Sequence, residues 1–335
     1  MSADVEAVLA VEPTLEPRIE GADHVDVETV EGTVTLRTFL AGMVSYAPAW
    51  VSALYAVRWL FVRLLGMSQE GIPRTEPVLP DDVPFEPGAQ LGVFTVARAG
   101  QDQFWIGEAV EAHLSAALCV VVEEHSDGRR FHVVTAVHYR RWTGPVYFTV
   151  VRPFHHLVVA RMAAAGVSPE RRVGSGLVNV HERRLDATAD RVGAFIDSLG
   201  SDDDELWPAD PWPPLTVEGP LAVGTQAGHG PVRYVVDAYE PGESIRFAFT
   251  EPAGFDGWHR FDLVAEGDER PWIRHVVSLR LSGSARLTWP LLDRYIHDAL
   301  VEDAFDRAER SVGSTPSPGR WPHRVRAAVW VLARR

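Results

Sequence analysis

GWHRFDLVAEGDERPWIRHVVSLRLSG (residues 257–283), followed by TWPLLDRYIHDALVEDAFDRAERSV (residues 288–312), decides the fold. In the first part apolar residues recur every second position, the period of a strand with one buried face. His259, Phe261 and Leu263 share one face of the first run, and Ile273, His275, Val277, Leu279 and Leu281 share one face of the second. The loop EGDERP makes the runs hairpin neighbours. Their apolar faces coincide only if His259 and His275 point to the same side, directly or diagonally across from each other. The second part reads as a long helix with Pro290 near its start. A sheet with one apolar face needs a cover, and this helix is the one available.

Working outward, GPVRYVVDAYEP (230–241) and ESIRFAFTE (243–251) extend the meander upstream. LVNVHERRLDA (177–187) reads as an opening strand, and TADRVGAFIDSLG (188–200) as a short helix with Thr188 as N-cap and Gly200 as stop. The first half repeats this order. HVDVETVE (24–31) is a strand, Thr35 to Gly66 a helical pair, and residues 66–90 a Pro- and Gly-rich loop. Strands LGVFTVARA, QFWIGEAV, HLSAALCVVVEE and FHVVTAVHYRRW follow, the last two joined by the hairpin signal HSDGRR. GPVYFTVVR and a helix starting at Pro153 close the half. The fold class is therefore α+β, repeated: a mobile acidic tail (1–22), a first domain (23–168), a second (173–313) and a basic amphipathic tail (314–335).

The strand–helix opening, VVDAYEPGESIRFAF and the long closing helix resemble the START-like, Bet v 1-type helix-grip superfamily, which includes polyketide-cyclase-like proteins. In the first half, APAWVSALYAVRWLFVRLLG, IGEAVEAHLSAALCVVV and VTAVHYRRWTGPVYFTVVRPFHHLVV are similar to an uncharacterised bacterial family often fused behind short-chain-dehydrogenase-like domains. This likeness runs through Gly144, Tyr147, Pro153, Phe154 and His155. No nucleotide-binding fingerprint accompanies it, since GSGLVN lacks the third glycine. The first resemblance, over about residues 175–313, implies a curved antiparallel sheet around a closing helix with an apolar cavity between them, and the repeated element order extends the expectation to tandem helix-grip domains. The cavity would be lined by Phe247, Phe249, Phe261, Leu263, Val277 and Leu279 in the second half, and by Val133, Val137 and Tyr139 in the first.

Composition narrows the function classes. A net charge of −14 argues against a nucleic-acid partner, which needs a basic face. All 32 basic residues are arginine. The one cysteine, Cys119, forms no internal disulfide, and its apolar neighbours predict an inert buried thiol, so a reducing, cytoplasmic setting is the expectation. The N-terminus has no basic region of a secretory signal. Phe39 to Val57 is uncharged, but Pro48, Gly42 and the arginines that follow favour packed helices over a membrane span.

No nucleophile elbow, H-E-x-x-H, paired C-x-x-C or phosphate loop is present, and no histidine has an i,i+4 histidine partner on a clear helix. No metal and no cofactor are expected. His259 and His275 are the candidate acid/base pair: two imidazoles on an apolar face can orient a ligand's polar group or exchange a proton with it. Core histidines satisfied by backbone or water are the plainer reading. His132, His138 and Arg140 fall on the outer, solvated face of their strand. WPADPWPPL reads as an aromatic gate, a ligand for another protein or a packed loop, and SDDDE as a solvated turn. From Ser311 onward there is no acid, and Arg320, Arg324, Arg326, Arg334 and Arg335 accompany a stripe of Val325, Ala328, Val329 and Leu332 near Trp321 and Trp330. That helix either docks on the acidic body or makes a peripheral membrane contact. The adjacent His155 and His156 mark the start of the closing helix rather than a site, because adjacent helical residues point about 100° apart.

These readings converge on a protein that binds or carries a small apolar or amphipathic ligand. The alternatives are a cyclase- or dehydratase-like enzyme using His259 and His275, and a structural protein with filled cavities.

Overall fold

The meander expected from alternation is present in both halves. The structure, a computed structural model, describes residues 2–51, 53–54, 76–126, 128–208, 211–265, 270–316 and 321–332. It divides into two units, Met1–Gly174 and Ser175–Arg335, so residues 1–22 belong to the first and the C-terminal segment to the second.

In the first unit, helices α1 (Ala3–Val11) and α2 (Glu16–Ile19) precede β1 (His24–Gly32) and α3 (Leu36–Val44). The second member of the expected helical pair lies outside the described residues. Then come β2 (Gln90–Leu91), β3 (Phe94–Gly100), β4 (Phe104–Val110), β5 (Leu114–His125) and β6 (Gly128–Tyr139). Helix α4 (Thr143–Gly166) and the short β7 (Glu170–Val173) end the unit. The first strand pairs with the last of the meander, giving the antiparallel order β1-β6-β5-β4-β3-β2.

Both faces of this sheet are apolar, and both are covered. Leu118, Val120, Phe131 and Val133 face Leu36, Phe39 and Leu40 of α3 and Val159 and Ala163 of α4. Phe39 stacks on Phe131 with ring centroids 4.3 Å apart. Gly166 permits this approach, since a Cβ there would lie 2.6 Å from the Phe39 ring. On the other face Ile106, Ala117, Cys119, Val134 and Ala136 lie under Val5, Val8, Leu15 and Ile19. The acidic tail, expected to be mobile over residues 1–22, thus has its described residues 2–22 in a layer packed on the sheet through Val5, Val8, Leu15 and Ile19. Their acidic composition conceals the helical spacing of Val5 and Val8, and Ser2 caps α1 by accepting from the Val5 N–H. His138, expected on a solvated face, instead meets the Arg18 carbonyl at 3.0 Å. Burial pushes the Cys119 thiol up to about 12, in line with an inert thiol.

Helix α4 begins at Thr143, not Pro153, and carries that proline in its interior. The buried residues Gly144, Tyr147, Phe148, Val159, Ala163 and Gly166 follow one helical stripe, so packing overrides the β-branched character of residues 146–151.

The second unit repeats the topology. It runs β8 (Gly176–Arg184), α5 (Ala189–Asp197), β9 (Thr216–Val217), β10 (Gln226–His229), β11 (Val232–Glu240) and β12 (Ser244–Glu251). Strands β13 (Phe255–Val264) and β14 (Trp272–Leu281) complete the meander. Helix α6 (Ala285–Thr288), a π-helical turn (Trp289–Asp293) and α7 (Arg294–Ser311) close it, followed by α8 (His323–Leu332). The order is β8-β14-β13-β12-β11-β10-β9, again with the opening strand against the closing one. Each unit is an antiparallel meander followed by a long closing helix, and the fold is α+β in tandem.

Thr188 caps α5 by accepting from the Arg191 N–H, as expected. Apolar residues of α7, among them Leu300, Ala304 and Phe305, pack on Tyr234, Phe247, Phe261 and Ile273. The Trp/Pro loop buries Trp207 and Trp212 in this same core, and Asp204 turns the acidic run by accepting from the N–H groups of Gly200, Leu206 and Trp207. Val325 and Val329 bury α8 in that core, and Arg324 lies 3.5 Å above the Tyr295 ring. No described helix is long and apolar enough to cross a membrane.

Leu15 is fully buried, so Leu15→Ala should lower stability by about 2–5 kcal/mol in urea titrations. Replacing the exposed Glu6 by Ala should change it by under about 0.5 kcal/mol. A mobile N-terminus would make both neutral.

Candidate functional site

Two periodicities meet inside the second unit. Asn179, His181 and Arg183 alternate onto one face of β8, while Arg294, Asp298, Glu302 and Asp306 recur every fourth residue along α7. Two strand residues advance about 6.7 Å and four helical residues about 6 Å, so the two rows match step for step. Asn179 Nδ2 donates to Asp298 Oδ1 at 3.0 Å. His181 donates from Nδ1 to Glu302 at 2.7 Å and from Nε2 to Asp298 Oδ1 at 3.1 Å. Arg183 reaches Glu302, Asp306 and Glu309 at 2.7, 3.1 and 2.6 Å. Burial alone would lower the His181 pKa, but its bonds to Asp298 and Glu302 raise it to about 9. Burial likewise opposes ionisation of Asp298, yet hydrogen bonds from His181 and His297 hold it far below the usual carboxylate range.

Beside this seam, the register pairs His259 with Val277 and Phe261 with His275, which sets the two histidines diagonally across β13 and β14. His259 Nδ1 and His275 Nε2 are 3.3 Å apart. Aromatic rings surround the pair: Tyr234, Phe247 and Phe249 lie 4.8, 5.0 and 5.1 Å from the His259 ring, and Phe261 lies 4.5 Å from that of His275. Burial, reinforced by neighbouring histidines, holds both pKa values well below the ordinary one, so both are neutral at pH 7. A neutral imidazole carries one donor and one acceptor nitrogen. When one ring donates to the other, the two outer nitrogens are therefore one donor and one acceptor. Among the described residues those atoms, His259 Nε2 and His275 Nδ1, have no hydrogen-bond partner, nor do Tyr234 Oη and Asn179 Oδ1.

The row of rings continues to the seam. His275 and His297 lie 5.1 Å apart and His297 and His181 5.8 Å apart, linking Tyr234 to the charged network. The candidate wall residues divide around it. Phe247 and Phe261 are buried in the main core, with Leu263 half-buried against it. Val277 and Leu279 form a second apolar cluster with Leu177 and Trp289, joined by Phe249 and Phe255.

In the first unit the candidate wall residues divide between two apolar clusters. Val133 lies in the inner core, whereas Val137 and Tyr139 pack separately with Leu114, Tyr147 and Phe148. His155 and His156 both approach Asp26, at 3.4 and 3.6 Å, and His24 meets the same carboxylate at 3.1 Å. The adjacent histidines thus converge on one group after all. Burial opposes ionisation of Asp26, but these histidines lower its pKa overall.

Sequence reasoning singles out His259 and His275 and misses Tyr234, Asn179, His181, His297, Asp298 and Glu302. The signal it overlooks is the pair of polar rows, each of which alone reads as a solvated face.

Residues 18–162 match a family described as a protein of unknown function (DUF2867). No curated protein matches the chain. Among solved structures, the di-domain ARO/CYC StfQ from the steffimycin biosynthetic pathway is 10% identical, with 87% of this chain and 98% of that chain covered and a TM-score of 0.32. Norcoclaurine synthase from Thalictrum flavum, as a point mutant, is 15% identical over 41% of this chain and 94% of its own, at a TM-score of 0.34. CalU16 from Micromonospora echinospora is 15% identical over 49% and 89%, at 0.33.

The charge on His181 stabilises the fold fully below its ordinary pKa of 6.5, and this contribution is lost as pH rises through about 9. In EDTA-containing buffer the urea midpoint should fall across that window, and His181→Gln should flatten the decline. An equal slope in the variant would remove His181 as its source.

Proposed function

We propose that the second unit binds a small, largely apolar molecule and recognises it by one neutral polar group. The observation that carries this reading is the set of buried polar atoms without partners on Tyr234, His259 and His275, all within one aromatic cluster. Each such atom costs about 1–3 kcal/mol when left unsatisfied, and a ligand supplying the missing hydrogen bonds recovers that cost. The two outer nitrogens of the histidine pair suit a hydroxyl or carbonyl. A carboxylate finds no countercharge there, because both imidazoles are neutral. Phe249, Phe255, Val277, Leu279 and Trp289 supply contact for the apolar body.

The 3.3 Å contact between the imidazoles also supports a second reading, acid/base catalysis of the cyclase or dehydratase type. The pair can accept a proton at one outer nitrogen while releasing another at the opposite end, with no net change of charge. Replacing both histidines should then abolish turnover while leaving binding largely intact.

For the binding reading, 2-naphthol and naphthalene serve as fluorescent probes that differ by one hydroxyl. The wild type should favour 2-naphthol by about tenfold, the worth of one good hydrogen bond in a desolvated site. Tyr234→Phe or His259→Phe should narrow that preference without loss of fold by circular dichroism. Equal affinity for the two probes in the wild type would sink the reading.

A further inference from the structure

We infer that His181, His297 and Asp298 form a binding site for a divalent first-row transition-metal ion. Their donor atoms lie within 4.8 Å of one another. Asp298 Oδ1 is 3.1 Å from His181 Nε2 and 3.4 Å from His297 Nδ1. Donors held about 2.0–2.1 Å from a tetrahedral ion are about 3.3 Å apart, so Asp298 Oδ1 already stands at ligand spacing from both imidazoles.

The surroundings are those of a supported ligand set. Glu302 accepts from His181 Nδ1 at 2.7 Å, which fixes the ring with Nε2 toward Asp298. Carboxylates behind metal-bound imidazoles commonly play this part. Asn179 orients Asp298 Oδ1 from 3.0 Å, and Arg294 holds Oδ2 from 3.4 Å. In this network four carboxylates, Asp298, Glu302, Asp306 and Glu309, face two guanidiniums, Arg183 and Arg294. Binding an ion at His181 Nε2 displaces the proton that this nitrogen donates to Asp298; with both imidazoles then neutral, the network carries a surplus of two negative charges, which a divalent cation balances.

Two imidazoles and one carboxylate are borderline donors. They suit zinc, cobalt, nickel or ferrous iron better than magnesium or calcium, whose sites are built from oxygen. Three protein ligands also leave coordination open. The expectation of no metal rests on the missing i,i+4 histidine pair. The ligands here come instead from a strand and a helix more than a hundred residues apart in sequence.

The test uses the full chain, stripped of metal with chelator and titrated with Zn2+ by calorimetry and with Co2+ by visible absorption. One ion per chain is expected, with a rise in melting temperature on Zn2+ addition. His297→Gln and Asp298→Asn, with circular dichroism unchanged, should each lose that ion. Glu302→Gln should weaken it by about 10–100-fold. A combined His24→Ala, His155→Ala, His156→Ala variant should keep it. Absence of a bound ion at micromolar Zn2+, or an ion that survives in folded His297→Gln, overturns the assignment. So does an ion lost only with the first-unit histidines. Should Asp298→Asn fail to fold, His297→Gln decides alone, since its ring is partly exposed.

Discussion

The polar seam between β8 and α7 sets the geometry of everything around it in the second unit. Ion pairs removed from water contribute little net stability, because desolvation offsets their attraction. Breaking one partner is another matter, at about 3–5 kcal/mol, because a charge is then left unmatched. A seam of this kind therefore selects register more than it adds stability. Sliding α7 by one turn would move Asp298 off His181 and Glu302 off Arg183 at the same time. The register that satisfies both also brings His297 against His275 and Trp289 against Phe255.

The two units show how one topology takes different interiors. In the first, the sheet is apolar on both faces and sits between α1–α2 and α3–α4, with Phe39 stacked on Phe131 at its centre. Three of its histidines, His24, His155 and His156, gather instead around Asp26, where α4 meets β1. In the second, the face of the sheet that meets α7 carries histidines and a tyrosine among its phenylalanines, and the closing helix answers with a row of charges. The same topology thus carries an apolar centre in one half and a row of buried polar groups beside its apolar core in the other.

Much of this is legible from period alone. Alternation in β13 and β14 is enough to put His259 and His275 on one side, because a strand with an apolar face has only one way to turn. The repeat of strand, helix, meander and helix is legible for the same reason. What escapes are features defined by distant partners. Val5 and Val8 are too few to signal a helix until the apolar outer face of β4–β6 demands a cover. Val146 to Val151 favour a strand locally, and only packing on the sheet makes them helical. The rows Asn179–His181–Arg183 and Arg294–Asp298–Glu302–Asp306 each resemble a solvent face. Their opposite charges and matched spacing become informative only when the rows are laid against each other.

Cys119 lies beneath α1 and α2, in the layer with Ile106 and Val134, and it is the chain's one cysteine. A thiol so placed meets solvent only when those helices lift away, whether or not the rest of the sheet opens. Its rate of modification by a small thiol reagent is therefore a clock for partial opening at the N-terminus. Compared with the rate of global unfolding, it separates the hold of this layer from the hold of the core.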